Sequence, residues 1–453
     1  MTAIAVSAKP RAVFTQGSTL RHVLVMTATA SVGLVAIFVV DFFSLLYVSW
    51  LGDTVLTAAV GYSSQINFFA MSLNIGMMIP ISALVSRALG AGDRAKARRM
   101  AASGLVIAGV TALVVSLLFL PAREGALGLL GAQGRALDVA STFLLITLPS
   151  NALMALGMGF GGVLRAVGDA RRGMNVTLAG GLITAVTDPL LIFGLGFGVY
   201  GAAIATVISR MVFVAVGYYG AVRVHDLVET PTLAGLEADA PPFLGIALPA
   251  ILTNMATPFG GAFALRVFSQ FGESAVAASA IIDRVVPIGF AVIFALTGAV
   301  GPIFGQNLGA RLLPRVRQTL ADSLLVTAVY ALGIWALLYM LSGLIITAFH
   351  ATAETAVYVR FFCTWGIVAW VFLGLLYVAN AAFNNLGFPI LSTLFNWSRA
   401  TLGTIPFVLY GAAQGGVEGG QLGLVIGAAL FSVAAVITAF YCVKRLANTA
   451  QSA

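Results

Sequence analysis

The chain has 453 residues, 60% of them hydrophobic and 9% charged, with a formal net charge of +8. Its mean hydropathy is +1.01. Water-soluble domains carry about 25% charged residues, so most of this surface faces something other than water. The positive balance comes without any RNA- or DNA-binding motif, and no nucleic-acid partner is expected. Apolar runs recur that are long enough to cross a hydrocarbon core of ~30 Å as helices. They lack the alternation of barrel strands, so the backbone must satisfy itself within helices.

In chain order, helices are predicted at 20–49, 56–88, 99–120, 137–160, 173–195 and 199–222. After a polar stretch they continue at 243–270, 276–305, 318–347, 355–383, 388–411 and 421–446. The only long polar break, Arg223 to Pro242, holds Asp226, Glu229, Glu237, Asp239 and the pair Pro241-Pro242; it reads as a linker. The expected organisation is an N-terminal tail (1–19), an N-lobe of helices 1–6 (20–222), a linker (223–242), a C-lobe of helices 7–12 (243–446) and a C-terminal tail (447–453). The first apolar run is too long for a cleaved signal peptide, and no small-residue cleavage site follows it. Cys363 and Cys442 lie inside apolar runs and read as packing residues without disulfide or metal-ligand spacing.

Orientation follows from Lys and Arg. Lys9, Arg11, Arg21, Arg87, Arg94, Lys96, Arg98, Arg99, Arg165, Arg171, Arg172, Arg223, Arg311, Arg315, Arg317, Lys444 and Arg445 fall at one end of the predicted bundle. That is 17 of 24, against Arg123, Arg135 and Arg360 at the other. The positive-inside rule then makes both termini cytoplasmic.

An internal repeat carries the architecture. Leu89-Gly90-Ala91 recurs as Leu308-Gly309-Ala310, 219 positions later, and Gly168 recurs as Gly387 at the same offset. Leu51-Gly52 and Phe271-Gly272 differ by 220. Six helices return the chain to its starting side, so the halves are parallel repeats about an axis along the membrane normal. Transporters built this way place substrate between their halves and rock them.

Several segments resemble those of multidrug and toxic compound extrusion (MATE) transporters. They are Tyr47-Val-Ser-Trp-Leu-Gly-Asp53 with Leu56-Thr-Ala-Ala-Val-Gly61, Thr187-Asp-Pro-Leu-Leu-Ile-Phe-Gly194 with Gly201-Ala-Ala-Ile-Ala-Thr206, and Gly301-Pro-Ile-Phe-Gly-Gln-Asn-Leu-Gly-Ala310. The resemblance spans helix 1 to helix 12. It implies an all-α fold of twelve transmembrane helices in two pseudo-two-fold-related lobes arranged as a V. It also implies cation-coupled export of amphipathic or cationic organic compounds from a bacterial cytoplasmic membrane.

Asp41, Asp188, Arg210, Arg266, Asp283, Arg284 and Arg399 are predicted at membrane depth. An isolated charge there costs at least ~2.5 kcal/mol, so these residues should face the interior or a wet cavity. Asp188 is the leading cation-coupling candidate. Pro189 after it lacks an N–H and frees a carbonyl near Ala185, and a carboxyl beside a freed carbonyl suits a proton or cation. Its alternative is a permanent pairing with an Arg. The resemblance implies an essential Asp at this point in proton-coupled members. It places the family's helix-1 Asp on Ser44, with Asp41 one turn away on the same face.

The family's helix-1 Pro falls on Thr29, whereas Pro249 keeps the matching position in helix 7. Its helix-5 Asn falls on Thr184 and its helix-4 Tyr on Phe143, while Thr206 matches. Ser44, Thr184 and Thr206 are supporting polar candidates, each with the alternative of bonding back to its own helix. In the C-lobe, acidic positions of sodium-coupled members fall on Thr257 and Leu373, which favours protons over sodium. Asp283, Arg284 and Arg266 form a candidate cluster of mutually compensating charges. Phe68, Met71, Met77, Met78, Phe259 and Phe263 are candidates to line a cavity.

The expected function is a monomeric antiporter, not an enzyme, exchanging small organic substrates for protons or sodium. No cofactor or structural metal is expected, and ATP is excluded as the energy source because no GxxxxGK[ST] loop occurs. Two rival readings stand beside it: a flippase for lipid-linked or polysaccharide precursors, which needs a cationic central cavity, and an intramembrane aspartyl protease using Asp41 and Asp188 as a dyad.

Overall fold

In the computed structural model, residues 12–452 are described, and they are helical almost throughout. Arg11 and Lys9 lie outside the described residues. Helices α1 (Thr19–Ser49), α2 (Thr54–Gly90) and α3 (Arg94–Phe119) open the N-lobe. Helix α4 is a pair, Gly134–Thr147 and Asn151–Val167, bent by 48°. Helices α5 (Ala170–Gly194) and α6 (Val199–Val224) complete the lobe.

The C-lobe begins with α7 (Leu233–Phe268), α8 (Glu273–Gly309) and α9 (Leu313–Ala348). Helix α10 joins Ala353–Phe361 to Val368–Leu386 through a π turn. Helix α11 starts at Pro389–Ala400 and resumes at Ile405, and Gly415 and Gly416 leave helical geometry to separate it from α12 (417–452). Twelve spans result among the described residues.

Helix starts follow from capping side chains. Asp53, Asp93, Asp169 and Thr232 each accept a backbone N–H from the first turn, at 2.9, 2.9, 3.0 and 3.1 Å, satisfying donors that would otherwise be orphaned. Asp169 also accepts from Arg172 at 2.5 Å and from His225 at 2.8 Å. Partial burial works against its charge, but these bonds outweigh it and hold the carboxyl well below the usual range. The repeat-matched Gly168 and Gly387 end α4 and α10 in the same left-handed conformation, φ 92° and 95°, which a side chain would disfavour.

The packing repeats as the turns do. Helix α1 lies along α5 as α7 lies along α11, and α2 contacts α4 as α8 contacts α10. Between lobes, α1 packs on α8, α7 packs reciprocally on α2, and α2 crosses α8. This is the pseudo-two-fold arrangement expected from the repeat.

The lobes also exchange their opening residues. Phe14, Val23 and Met26 belong to the apolar core formed by α8, α9, α10 and α12. Phe243, Ile246 and Ala247 belong to the core of α2, α3, α4 and α6. Hydrogen bonds follow the exchange: the Phe14 N–H donates to Gln306 at 2.9 Å, its carbonyl accepts from Arg315 at 2.8 Å, and Thr19 donates to Asp322.

The second exchange changes the expected linker. Helix α7 begins at Leu233 and runs through Pro241 and Pro242. Its first turns are held on α3 by Asp239, 2% exposed and paired with Arg99 at 3.1 Å. Polarity marks 233–242 as non-spanning, yet half of the polar stretch is docked helix.

Candidate functional site

The arrangement around Asp188 is set by α1 and α5, which run parallel in continuous contact. A Cβ on Gly33 would stand 2.1 Å from Thr177 Oγ1, and one on Gly181 would stand 3.6 Å from Val40. One step further along both helices, Ser44 Oγ donates to Asp188 Oδ2. Small residues thus bring the two backbones close enough for a hydroxyl to reach the carboxylate.

Asp188 is 1% exposed. Its Oδ1 is enclosed without a hydrogen-bond partner, and among the described residues no Lys, Arg or His forms an ion pair with it. Pro189 ends the regular part of α5 and the chain widens into a π turn at Leu190–Gly194. A carboxylate with one satisfied and one unsatisfied oxygen has room in its chemistry for a proton or a cation.

The structure places the other expected residues differently. Asp41 is exposed on α1, within Coulombic reach of Asp188 but without a hydrogen bond to it. Thr184 bonds back to the Gly180 carbonyl at 3.0 Å and Thr206 to Ala202 at 2.9 Å. Of the three supporting hydroxyls, only Ser44 reaches the carboxylate.

Arg210 on α6, one of the arginines predicted at membrane depth, does not pair with Asp188. Its Nη1 donates to the Thr147 carbonyl at 2.6 Å and to Ser150 Oγ at 2.7 Å, bracing the bend of α4. Met77 is core, and Met78 Sδ accepts from Arg165 at 2.7 Å.

The C-lobe cluster expected from sequence does not form. Asp283, Arg284 and Arg266 are all exposed, and no ion pair joins them among the described residues. Asp283 and Arg284 are neighbours on one helix, and adjacent helical positions do not face each other.

What the C-lobe does bury is a different set. Arg399, 6% exposed, donates to Thr257 Oγ1 at 3.2 Å, with the Tyr377 phenol against the same hydroxyl. Asn396 donates to Asn380 at 2.9 Å, and Ser392 to Asn384 at 3.0 Å. The four-residue spacings Asn380/Asn384 and Ser392/Asn396 in apolar helices were the legible signal for this network, since such pairs share a face. Tyr377 had no such signal.

Comparison with known proteins settles the class. The profile of the MatE family matches twice, at residues 30–190 and 249–409. The chain belongs to the MatE family. Its two matches start 219 positions apart, the offset of Gly168 and Gly387.

A protein named as an FAD transporter of Shewanella oneidensis is 25% identical over 94% of each chain. An uncharacterized 21 kDa protein of Pseudomonas savastanoi is 35% identical over 51% of this chain and 76% of its own.

Among solved structures, the Vibrio cholerae MATE transporter VcmN in its bent form shares a TM-score of 0.89 at 22% identity, covering 94% of this chain and 98% of its own. A MOP superfamily transporter from Pyrococcus furiosus, titled for the reverse polarity of its binding pocket, shares 0.89 at 21%, covering 96% and 98%. An outward-facing multidrug resistance MATE transporter shares 0.89 at 21%, with the same coverage. This MatE protein is therefore a multi-pass membrane transporter and not an enzyme, which removes the protease reading of Asp41 and Asp188.

Proposed function

We propose that this protein is a secondary exporter in a bacterial cytoplasmic membrane, driving organic compounds outward in exchange for protons. The supporting observation is Asp188, a buried carboxylate with a hydrogen bond from Ser44 on one oxygen and no partner on the other. A charge so placed is costly unless neutralised. A proton neutralises it completely, whereas sodium prefers a shell of several oxygens.

The cycle follows from competition. Ionised Asp188, with exposed Asp41 nearby, attracts a cationic or polar substrate into the N-lobe. Protonation removes that attraction and releases it. One carboxylate does not hold a proton and a cation fully at once, so rocking of the lobes becomes exchange. Under the positive-inside rule the end carrying Arg87, Arg94 and Arg315 is cytoplasmic. The hydrogen bonds from Phe14 and Thr19 to the C-lobe cluster there, in keeping with a cavity facing outward. We take the working unit to be the monomer.

A flippase reading needs a cationic central cavity. Arg210 is engaged within the N-lobe, Arg399 lies in the C-lobe, and Arg266 is exposed, so the three do not converge. The Shewanella relative's name does widen the cargo class to planar anionic compounds.

The deciding experiment is dye efflux from proteoliposomes under separate proton and sodium gradients. Export that follows the proton gradient alone supports the proposal; export that follows only sodium overturns its coupling ion.

A further inference from the structure

We propose that Arg399, with Thr257 and Tyr377, binds the anionic group of a planar aromatic substrate inside the C-lobe. This rests on the exporter reading above and names a class of cargo for it.

Arg399 belongs to α11, two residues before the helix breaks at Thr401–Thr404. Its guanidinium offers five donors in a fixed fork. One hydrogen bond is made, from Nη2 to Thr257 on α7. Nε is enclosed and has no partner, while Nη1 makes no hydrogen bond and is not fully enclosed. No carboxylate forms an ion pair with the guanidinium among the described residues; the charged or ionisable neighbour it feels is Tyr377.

A buried cation without a counter-ion is costly in an apolar bundle. An arginine used only to tie α11 to α7 would leave that cost unexplained, because a neutral amide could make the same single bond to Thr257. A guanidinium with unpaired donors and no counter-ion suits a phosphate, sulfonate or carboxylate.

The surroundings supply the rest of the recognition. Tyr377 approaches Phe294 at 6.0 Å between ring centroids, and Phe294 meets Trp370 at 6.3 Å and 90°. All three rings are only partly buried. An aromatic run ending at a guanidinium matches a flat ring system with a negative group at one end.

The arrangement also separates the lobes chemically. Asp188 in the N-lobe is a free carboxylate oxygen, and Arg399 in the C-lobe is a free guanidinium edge. The two subsites do not compete for one group, so the anionic end of a substrate can stay held while Asp188 changes protonation.

The test is equilibrium binding of FMN, riboflavin and ethidium to the full-length protein in phosphatidylcholine nanodiscs. FMN and riboflavin share a ring and differ by the phosphate. Wild type should bind FMN about tenfold tighter or more, the scale of one charge-assisted hydrogen bond. Arg399→Gln should bring the two flavins to similar affinities with ethidium unchanged, and Arg399→Lys should keep part of the preference. Equal flavin affinities in wild type, or a parallel loss of all three probes in Arg399→Gln, would overturn the proposal.

Should Arg399→Gln fail to give monodisperse protein, Thr257→Val and Tyr377→Phe carry the test. A selective weakening of FMN supports the site, and no selective change in either overturns it. Repeating the titration in phosphatidylglycerol nanodiscs separates the sources of the anion. Competition that requires Arg399 assigns the site to a lipid headgroup, and its absence assigns it to a soluble substrate. Binding is read without a gradient, so Asp188→Asn should retain the FMN preference even where export fails.

Discussion

Gly90 on α2 and Gly309 on α8, equivalent residues of the two repeats, each cross the other helix too closely for a methyl group. A Cβ on Gly90 would stand 2.1 Å from the Gln306 carbonyl oxygen, and one on Gly309 would stand 2.0 Å from that of Arg87. Both obstacles are backbone, so neither can swing aside. Gly309→Ala should force the lobes apart at the basic end, at a cost of about 1–3 kcal/mol for overpacking. The check is cross-linking between Thr19→Cys and Asp322→Cys, in a chain with Cys363 and Cys442 replaced by Ala. The bond should form readily with Gly309 present, arrest export until reduced, and form poorly with Gly309→Ala.

Asp188→Asn should abolish proton-driven export in inverted vesicles while the protein still inserts and runs as a single species. Ser44→Ala removes a hydrogen bond to a charged group, worth about 1.5–3 kcal/mol, and should slow export by about tenfold to a hundredfold. Full-rate export by Asp188→Asn would remove that residue from the mechanism.

Arg210 is expected to matter for stability rather than for charge at Asp188. Arg210→Met removes two charge-assisted hydrogen bonds at the bend of α4 and leaves only the bond from the Ser150 hydroxyl to the Thr147 carbonyl. Hydrogen bonds to a charged group are worth about 1.5–3 kcal/mol each. A lowered Tm in detergent, with the proton dependence of the residual export unchanged, is the expected result. A shifted pH profile would instead tie Arg210 to the coupling carboxylate.

Asp169 gives a prediction with a definite sign. Its carboxyl is held below the usual range by His225 and Arg172. The folded form therefore gains stability at every pH above the unfolded Asp value of about 3.9, and loses it as pH falls through the lower folded value. Asp169→Asn should lower Tm at pH 7, and the gap should persist down to pH ~4 before narrowing. A gap that closes between pH 7 and 5 would overturn this account of the Asp169 carboxyl.

The twelve spans, the repeat and the interior placement of Asp188 were legible because each depends on local features: apolar runs, glycine turns, and a charge beside a proline. Ser44 was picked out by the resemblance, as the place of the family's helix-1 Asp, and the structure joins it to Asp188. Contacts chosen by three-dimensional packing were not legible. Thr184 and Thr206 had the right chemistry, but each hydroxyl bonds its own helix. Asp283 and Arg284 looked paired because they are adjacent in sequence, and helical geometry turns adjacent side chains apart. The docked start of α7 was hidden because Asp239 reads as solvated until Arg99, 140 positions earlier, is seen to cover it.

The burial of Phe14 against α8 has a consequence for how the molecule is made. Phe14 is made before every helix of the bundle, yet the wall that encloses it includes Ala435, Ala439 and Val443 of α12. Assembly in the bilayer therefore cannot finish in order of synthesis. The Phe14 segment must wait, uncovered, until α12 has been made, and truncations that remove α12 should expose a residue more than 400 positions upstream to chaperones and proteases.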